Sequence, residues 1–235
     1  MSNGNPLSPK FLKGAFVGLN GDELNAATSI ITFQYNPETM SHTVTPISDT
    51  SSASTAKGQQ NTADPTSQPC EPAESFSLTL ELDATDQLEF PDSNPVAVAS
   101  GVADRLAALE MLLHPGESIM DTLKAALKLG STTVPRGSVP IVLFIWGPGL
   151  AVPVRITSFR VEEQKFSSML YPVQAKVTVE LQVITADSLE KLKTSLTMGE
   201  KLAIQAYKYT LGQKKALAAA NLANSAQSVI NLLPF

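Results

Sequence analysis

The chain has 235 residues, a net charge of −5 and a pI near 5.1, with 43% hydrophobic and 17% charged residues. That length can bury a real core as one large domain or two small ones. The acidic balance excludes a general nucleic-acid binder, whose affinity comes from neutralising phosphates. A single cysteine, Cys70, excludes an intramolecular disulfide. The opening Met1-Ser2-Asn3-Gly4-Asn5-Pro6 lacks the basic and apolar regions of a secretory signal. No uncharged apolar run reaches the ~18 residues a spanning helix needs. The expectation is synthesis in the cytoplasm without a signal peptide, and no membrane insertion.

Residues 1–9 read as a flexible arm carrying Pro6 and Pro9. Lys10 to Val17 predicts a short strand ending at Gly18, followed by turn chemistry in Gly18-Leu19-Asn20-Gly21-Asp22. Ile30 to Tyr35 predicts a second strand that stops at Asn36-Pro37, because proline cannot donate to a ladder. The two strands suit a hairpin. Residues 48–73 then collapse to Ser, Thr, Ala, Gln, Asp and Pro, too little apolar surface to offset the entropy of ordering. This long loop is either disordered or ordered only against a partner.

Alternation resumes from Glu74 to Leu82, with Phe76, Leu78, Leu80 and Leu82 inward. A helix follows from about Pro95, a residue favoured in the first turn, and ends before His114. Its buried stripe is Val102, Leu106, Leu109 and Leu113. A shorter helix is expected over 117–129, closed by Gly130.

Val139 to Thr185 reads as three strands in succession. The first, to Trp146, is apolar at nearly every position, as a strand covered on both faces should be. Gly147-Pro148-Gly149 turns the chain. The second, Ala151 to about Phe166, carries Val152, Val154 and Ile156 on one face and then slips to Phe159 and Val161. That slip predicts a β-bulge near Ser158. The third places Val173, Ala175, Val177, Val179, Leu181 and Val183 on one face. Gln174, Lys176, Thr178, Glu180 and Gln182 take the other. One face of it must therefore pack and the other must meet water.

Ala186 to Leu233 is Ala-, Leu- and Lys-rich and helical, broken only by Gly199 and Gly212. Leu202, Ala206, Tyr209, Leu217, Ala220 and Leu222 form a loose apolar stripe. Such a helix is marginal alone and should dock, on its own subunit or on a neighbour. The domain plan is thus an arm over 1–9, a β domain over 10–190 and a helical extension over 191–235.

No catalytic constellation emerges. His42 lies in a polar strand-like run and reads as exposed, and His114 reads as a helix C-terminal cap. Cys70 lacks a histidine nearby in sequence. Asp83, Asp86, Glu89 and Asp92 lack calcium-loop spacing and read as a solvated approach to a helix N-terminus. Glu162 and Glu163 are adjacent in a strand and point to opposite faces. The pair Lys214-Lys215 reads as a solvated helix face. Neither an enzymatic activity nor a cofactor or metal is expected.

Phe33-Gln34-Tyr35-Asn36-Pro37-Glu38-Thr39 resembles the strand end of the tube-initiator family of contractile injection systems, baseplate proteins of phage-tail-like particles. Further matches follow in order: Lys13-Gly14-Ala15, Phe76 to Asp86, the Leu106–Pro115 helix, Pro140 to Gly147, Thr157 to Phe166, and Leu170 to Ala175. The resemblance spans roughly residues 10–190 and singles out Phe33, Tyr35, Asn36, Pro37 and Glu38 as the family motif. It implies an α+β, mainly β fold: a tube-protein-like antiparallel β-sandwich or barrel with a packed helix, here with a C-terminal helical extension. It also implies a structural protein, assembled as a homohexamer that joins the spike hub protein to the inner tube or a second tube-initiator protein, among other baseplate proteins. Such a particle stays in the cytoplasm or is released. Many relatives continue into a LysM peptidoglycan-binding module, whose pattern the tail from Ala186 lacks. In a ring, the row Gln174, Lys176, Thr178, Glu180 and Gln182 would line a watery lumen. The alternatives are the repeating inner tube protein and a ligand-binding module using Asp83, Asp86 and His114 under the 48–73 loop.

Overall fold

A computed structural model of the chain describes residues 12–19, 27–46, 71–114, 139–192 and 196–230. The expectations for 1–9, for the 48–73 loop as far as residue 70, and for a helix over 117–129 lie outside the described residues.

The long C-terminal strands form the centre, as their alternation requires. β6 (Leu150–Phe166) and β7 (Pro172–Val183) pair antiparallel along nearly their whole length. β5 (Ile141–Trp146) and β4 (Ala73–Asp83) flank them. β1 (Ala15–Leu19), β2 (Ala27–Thr32) and β3 (Met40–Thr45) complete one antiparallel sheet in the order β2-β1-β5-β6-β7-β4-β3. The fold is α+β and mainly β. The sheet is strongly curled. Phe76 on β4 and Phe144 on β5 lie three strands apart in the order, roughly 14 Å in a flat sheet. Their ring centroids nevertheless lie only 5.6 Å apart.

The alternating residues face this concavity. Phe76, Leu78, Leu80 and Leu82 of β4 are buried, as are Ala175, Val177, Val179, Leu181 and Val183 of β7. The predicted bulge is present: the β6–β7 register shifts between Ile156 and Ser158. Phe159 and Val161 thereby return to the packed side. β5 is covered on both faces, with Val142 and Phe144 in the main core and Leu143 against Leu19 and Ala203.

Several boundaries differ from the sequence reading. β1 continues through Gly18 to Leu19, because pairing to β5 extends to Leu19↔Ile141. β2 pairs with β1 as a hairpin, but it ends at Thr32; the Phe33 N–H still bonds the Gly14 carbonyl at 2.8 Å, and Gln34 and Tyr35 lie beyond the paired residues. The single helix expected from Pro95 is two, α2 (Pro95–Ser100) and α3 (Ala103–Met111), after the short α1 (Thr85–Leu88) and a 3-10 turn over Pro91–Ser93. The break is Gly101, with φ of +60°. A Cβ there would stand 2.1 Å from the Pro172 carbonyl oxygen, which accepts the Val102 N–H at 2.9 Å. The helix must break where it meets the start of β7, and only glycine tolerates both the backbone and the approach. After that break, Leu112 rather than Leu113 takes the last buried position of the stripe.

α4 (Ala186–Leu192) and α5 (Met198–Ile230) follow the sheet. Of the stripe read from Leu202 to Leu222, Ala206 packs against the protein but the large side chains do not. Ala203, Ile204, Tyr207 and Thr210 are buried, whereas Leu202, Tyr209, Leu217 and Leu222 are exposed. Apolar side chains lie all round this helix, so periodicity selects no face and fit decides. Ala203 suits the space left by Leu19 and Leu143. Thr210 lies at the end of β6, which runs past the last β7 pair, Val154↔Val183. Its hydroxyl donates to the Ala151 carbonyl at 2.7 Å and accepts the Ala151 N–H at 2.9 Å, replacing the missing strand.

Candidate functional site

The polar row of β7 does form one face of the sheet, opposite the core. Lys176 and Glu180 are exposed, while Gln174, Thr178 and Gln182 are half-buried by their neighbours. Each stands across from a polar residue of β4: Gln174↔Asp83, Lys176↔Glu81, Thr178↔Thr79, Glu180↔Ser77 and Gln182↔Ser75. On the β6 side the partners are Gln164, Glu162, Arg160, Ser158 and Arg155. The outcome is a three-strand polar wall cross-linked side to side. Lys176 Nζ pairs with Glu81 at 3.1 Å, and the Thr79 and Thr178 hydroxyls lie 3.3 Å apart. Gln174 Nε2 donates to Asp83 Oδ2 at 2.6 Å. Gln182 Nε2 donates to the Glu74 carbonyl at 3.1 Å. Arg160 and Glu162 form a further pair at 2.8 Å on β6. Exposed pairs like these contribute little stability each, about 0–1 kcal/mol. What they set is a hydrated, charge-balanced surface rather than a pocket.

The family motif sits at one end of this wall. Phe33 is buried with its ring 5.0 Å from Phe16 and 6.4 Å from both Phe144 and Trp146. The approach is so close that a Cβ on Gly14 would stand 2.7 Å from the Phe33 ring and 2.8 Å from Trp146, which explains glycine at that position. Gln34 bonds the Asp83 backbone in both directions, donating to its carbonyl and accepting its N–H. Asn36 staples the strand entry, accepting the Gly14 N–H at 3.0 Å and donating to the Leu12 carbonyl at 2.8 Å. Tyr35, Pro37 and Glu38 line a shallow cleft with Thr79 and Glu81. Tyr35 reaches on beside Glu81, Gln174 and Lys176. The motif and the polar row, far apart in sequence, therefore meet around Glu81 and Asp83.

Asp83 is the junction. Desolvation pushes its pKa up, but hydrogen bonds from Thr85 and Gln174, with the positive charge of Lys165, outweigh that and hold it below the ordinary 3.8. The carboxylate accepts the Thr85 N–H and so ties β4 to α1. Asp86 accepts a long bond from the Tyr35 hydroxyl at 3.5 Å. Two members of the acidic group read as merely solvated thus organise a turn. Sequence reasoning missed Arg105, which bridges Gln34 and Gln87 from α3. It also missed buried Glu74, which receives Lys214 at 2.7 Å and His42 at 3.1 Å. His42 is exposed, as its polar run suggested, and its ring also stacks on Phe76 at 4.4 Å. Lys214 leaves the solvated face assigned to it. The burial of Glu74 demands these partners, and the signal for it was present in the sequence, because Glu74 shares the period-two parity of inward-facing Phe76, Leu78, Leu80 and Leu82.

Glu162 and Glu163 are exposed, and His114 is exposed beyond α3. Among the described residues no three His, Cys, Asp or Glu side chains converge as a metal site, and no helix is long and apolar enough to cross a membrane. Cys70 lies outside the described residues.

Comparison with curated proteins gives no match. The family model described as contractile injection system tube protein matches residues 16–192, well over half of the chain and every strand but the first residue of β1. That family carries a structural role in an oligomeric assembly. On the strength of this match, the chain belongs to the contractile injection system tube proteins.

Proposed function

We propose that this chain is the tube initiator of its particle, a homohexameric ring that receives the spike hub on one side and the inner tube on the other. The observation that carries the reading is α5. The family match ends at Leu192, and α5 adds 33 residues, of which the stretch from Ala203 to Lys214 packs against one end of the sheet. A subunit repeated along a tube stacks on copies of itself and gains nothing from capping one end of its sheet. An adaptor has two unlike neighbours, and a capped end makes its two sides unlike. In this reading residues 10–190 are the tube-like domain, 1–9 an arm and 191–235 the extension. The row Gln174, Lys176, Thr178, Glu180 and Gln182 faces the lumen, where a balanced, hydrated wall lets cargo pass without binding.

Native mass spectrometry and electron microscopy of the purified protein, alone and with spike hub and tube proteins, test this. The expected result is a single six-membered ring that nucleates tube growth. Long uniform tubes from this chain alone would favour the repeating inner tube protein instead. A persistent monomer with both partners present would refute the ring. Thr178→Cys in a Cys70→Ser background locates the wall: the thiol should react with a small maleimide in the ring and be shielded from one on a large carrier.

A further inference from the structure

Glu74 is a buried carboxylate that belongs to β4 and is held by two other elements. Its side chain is 10% exposed. From α5, Lys214 Nζ donates to both oxygens, at 3.0 and 2.7 Å. From β3, His42 Nε2 lies 3.1 Å from Oε2. A carboxylate only accepts, so His42 carries a proton on Nε2 and donates it. The main chain of Glu74 cannot follow either partner. Its carbonyl accepts Gln182 Nε2 from β7 at 3.1 Å, and the β4–β7 ladder begins at the next residue, Ser75. One helical turn and a half before Lys214, Tyr207 donates to Glu71 at 3.0 Å, so α5 grips the approach to β4 twice.

β3 depends on this carboxylate more than an interior strand would. It is the last strand in the order, and among the described residues it pairs only with β4. Ser41 to Thr45 are all exposed, so little apolar area fixes them. Beyond the ladder, β3 is tied inward by Met40 on the core and by His42, which stacks on Phe76 at 4.4 Å and bonds Glu74. A carboxylate at this depth is destabilising unless its partners stay. When one donor leaves, the other element still shields the charge from water, and opening that element hydrates it. Opening on one side therefore favours opening on the other.

We infer that Glu74 is a latch that couples the seating of α5 to the order of the β3 edge. Such coupling is reciprocal: the strand steadies the helix by the factor with which the helix steadies the strand. The consequence concerns an interaction surface. The outer side of an edge strand presents unpaired backbone groups, a template on which a further strand can add. With α5 seated, that template is extended and in register; with α5 lifted, it frays. The helix thus acts on a sheet edge as well as on the sheet end it covers. The latch is a property of the single chain and stands or falls apart from the ring reading.

Hydrogen exchange of the full-length monomer, followed by mass spectrometry, tests it. Lys214→Met removes the ammonium and keeps most of the stem. His42→Phe keeps a ring on Phe76 and removes the donor. The latch predicts that Lys214→Met speeds exchange of the Met40–Thr45 amides about three- to tenfold, and that His42→Phe does the same between Ala203 and Lys214, the range found for neighbours in one network. Amides of β7 from Val177 to Val183 report global opening, and both effects are read relative to them. In a Glu74→Gln background the cross-effects should fall below about twofold, because a neutral amide is much less costly to leave short of a donor. If each substitution loosens only its own element, Glu74 makes two independent contacts and the latch is overturned. Cross-effects that persist with glutamine would place the coupling elsewhere and overturn it too. Should Lys214→Met fail to fold, His42→Phe at its exposed position decides alone.

Discussion

The interior of the curled sheet and the seat of α5 are both buried, yet they are held by different physics. The interior is a continuous aromatic and aliphatic body, where Phe144 alone lies within 5.6 to 6.4 Å of the rings of Phe16, Phe33, Phe76 and Trp146. The helix seat buries Ala203, Ile204 and Tyr207, with Ala206 and Leu211 partly buried beside them, supplemented by directed polar bonds from Thr210, Tyr207 and Lys214. Burial in the first is non-directional and scales with area. In the second, small apolar area makes each hydrogen bond count, and losing a partner strands a buried group.

The largest expected effect belongs to the interior. Phe144→Ala should cost about 3–5 kcal/mol in urea denaturation, since the rings around it are locked by strands and cannot collapse into the void. A cost near 1 kcal/mol would mean that the concavity is loosely filled. Thr210→Val tests the helix seat with almost no change of shape. It leaves the Ala151 N–H and carbonyl unpaired and should cost about 1–3 kcal/mol. Thr210→Ser, which keeps the hydroxyl, should recover most of that loss. If valine is neutral and serine is not, apolar packing rules the seat as well and the contrast fails.

Tyr207 sharpens the contrast through pH. Burial first, and then the carboxylates of Glu71 and Glu74, raise its pKa far above the ordinary 10.0. A raised pKa favours the protonated phenol in the folded state. The stabilisation is therefore complete below about pH 10 and is lost as pH climbs toward the folded value. Tyr207→Phe removes the 3.0 Å bond to Glu71, an expected loss of about 1 kcal/mol at neutral pH. Across pH 9 to 11, thermal melts of the phenylalanine variant should fall less steeply than those of the parent chain. Parallel slopes would show that Tyr207 does not titrate against folding.

This contrast also explains which parts were legible in the sequence. The faces of β4, β6 and β7 follow from period-two alternation because one face is buried along its whole length, and the slip after Ile156 marks the bulge. The polar row was legible for the same reason. The face of α5 was not, because Leu202, Leu217 and Leu222 offered more apolar area than Ala203 and Thr210 yet fitted no complementary surface. Gly101 was hidden inside a good helical pattern, since only the approach of Pro172 forces the break. The Gln34–Asp83–Arg105 network joins three segments whose proximity is set by the curl, and no local spacing encodes that.

The smallest expected effect has the opposite sign. Gly212 lies in the middle of α5, between the anchoring residues Thr210 and Lys214, and a Cβ there would meet nothing within 4 Å. Glycine inside a helix costs about 0.8–1 kcal/mol relative to alanine, largely through the freedom of the unfolded chain. With no clash to offset that gain, Gly212→Ala should stabilise the monomer by a few tenths to about 1 kcal/mol in urea denaturation. It should also increase the helical signal in circular dichroism, by stiffening the path from Thr210 to Leu222. A destabilising alanine would mean that the helix bends at Gly212.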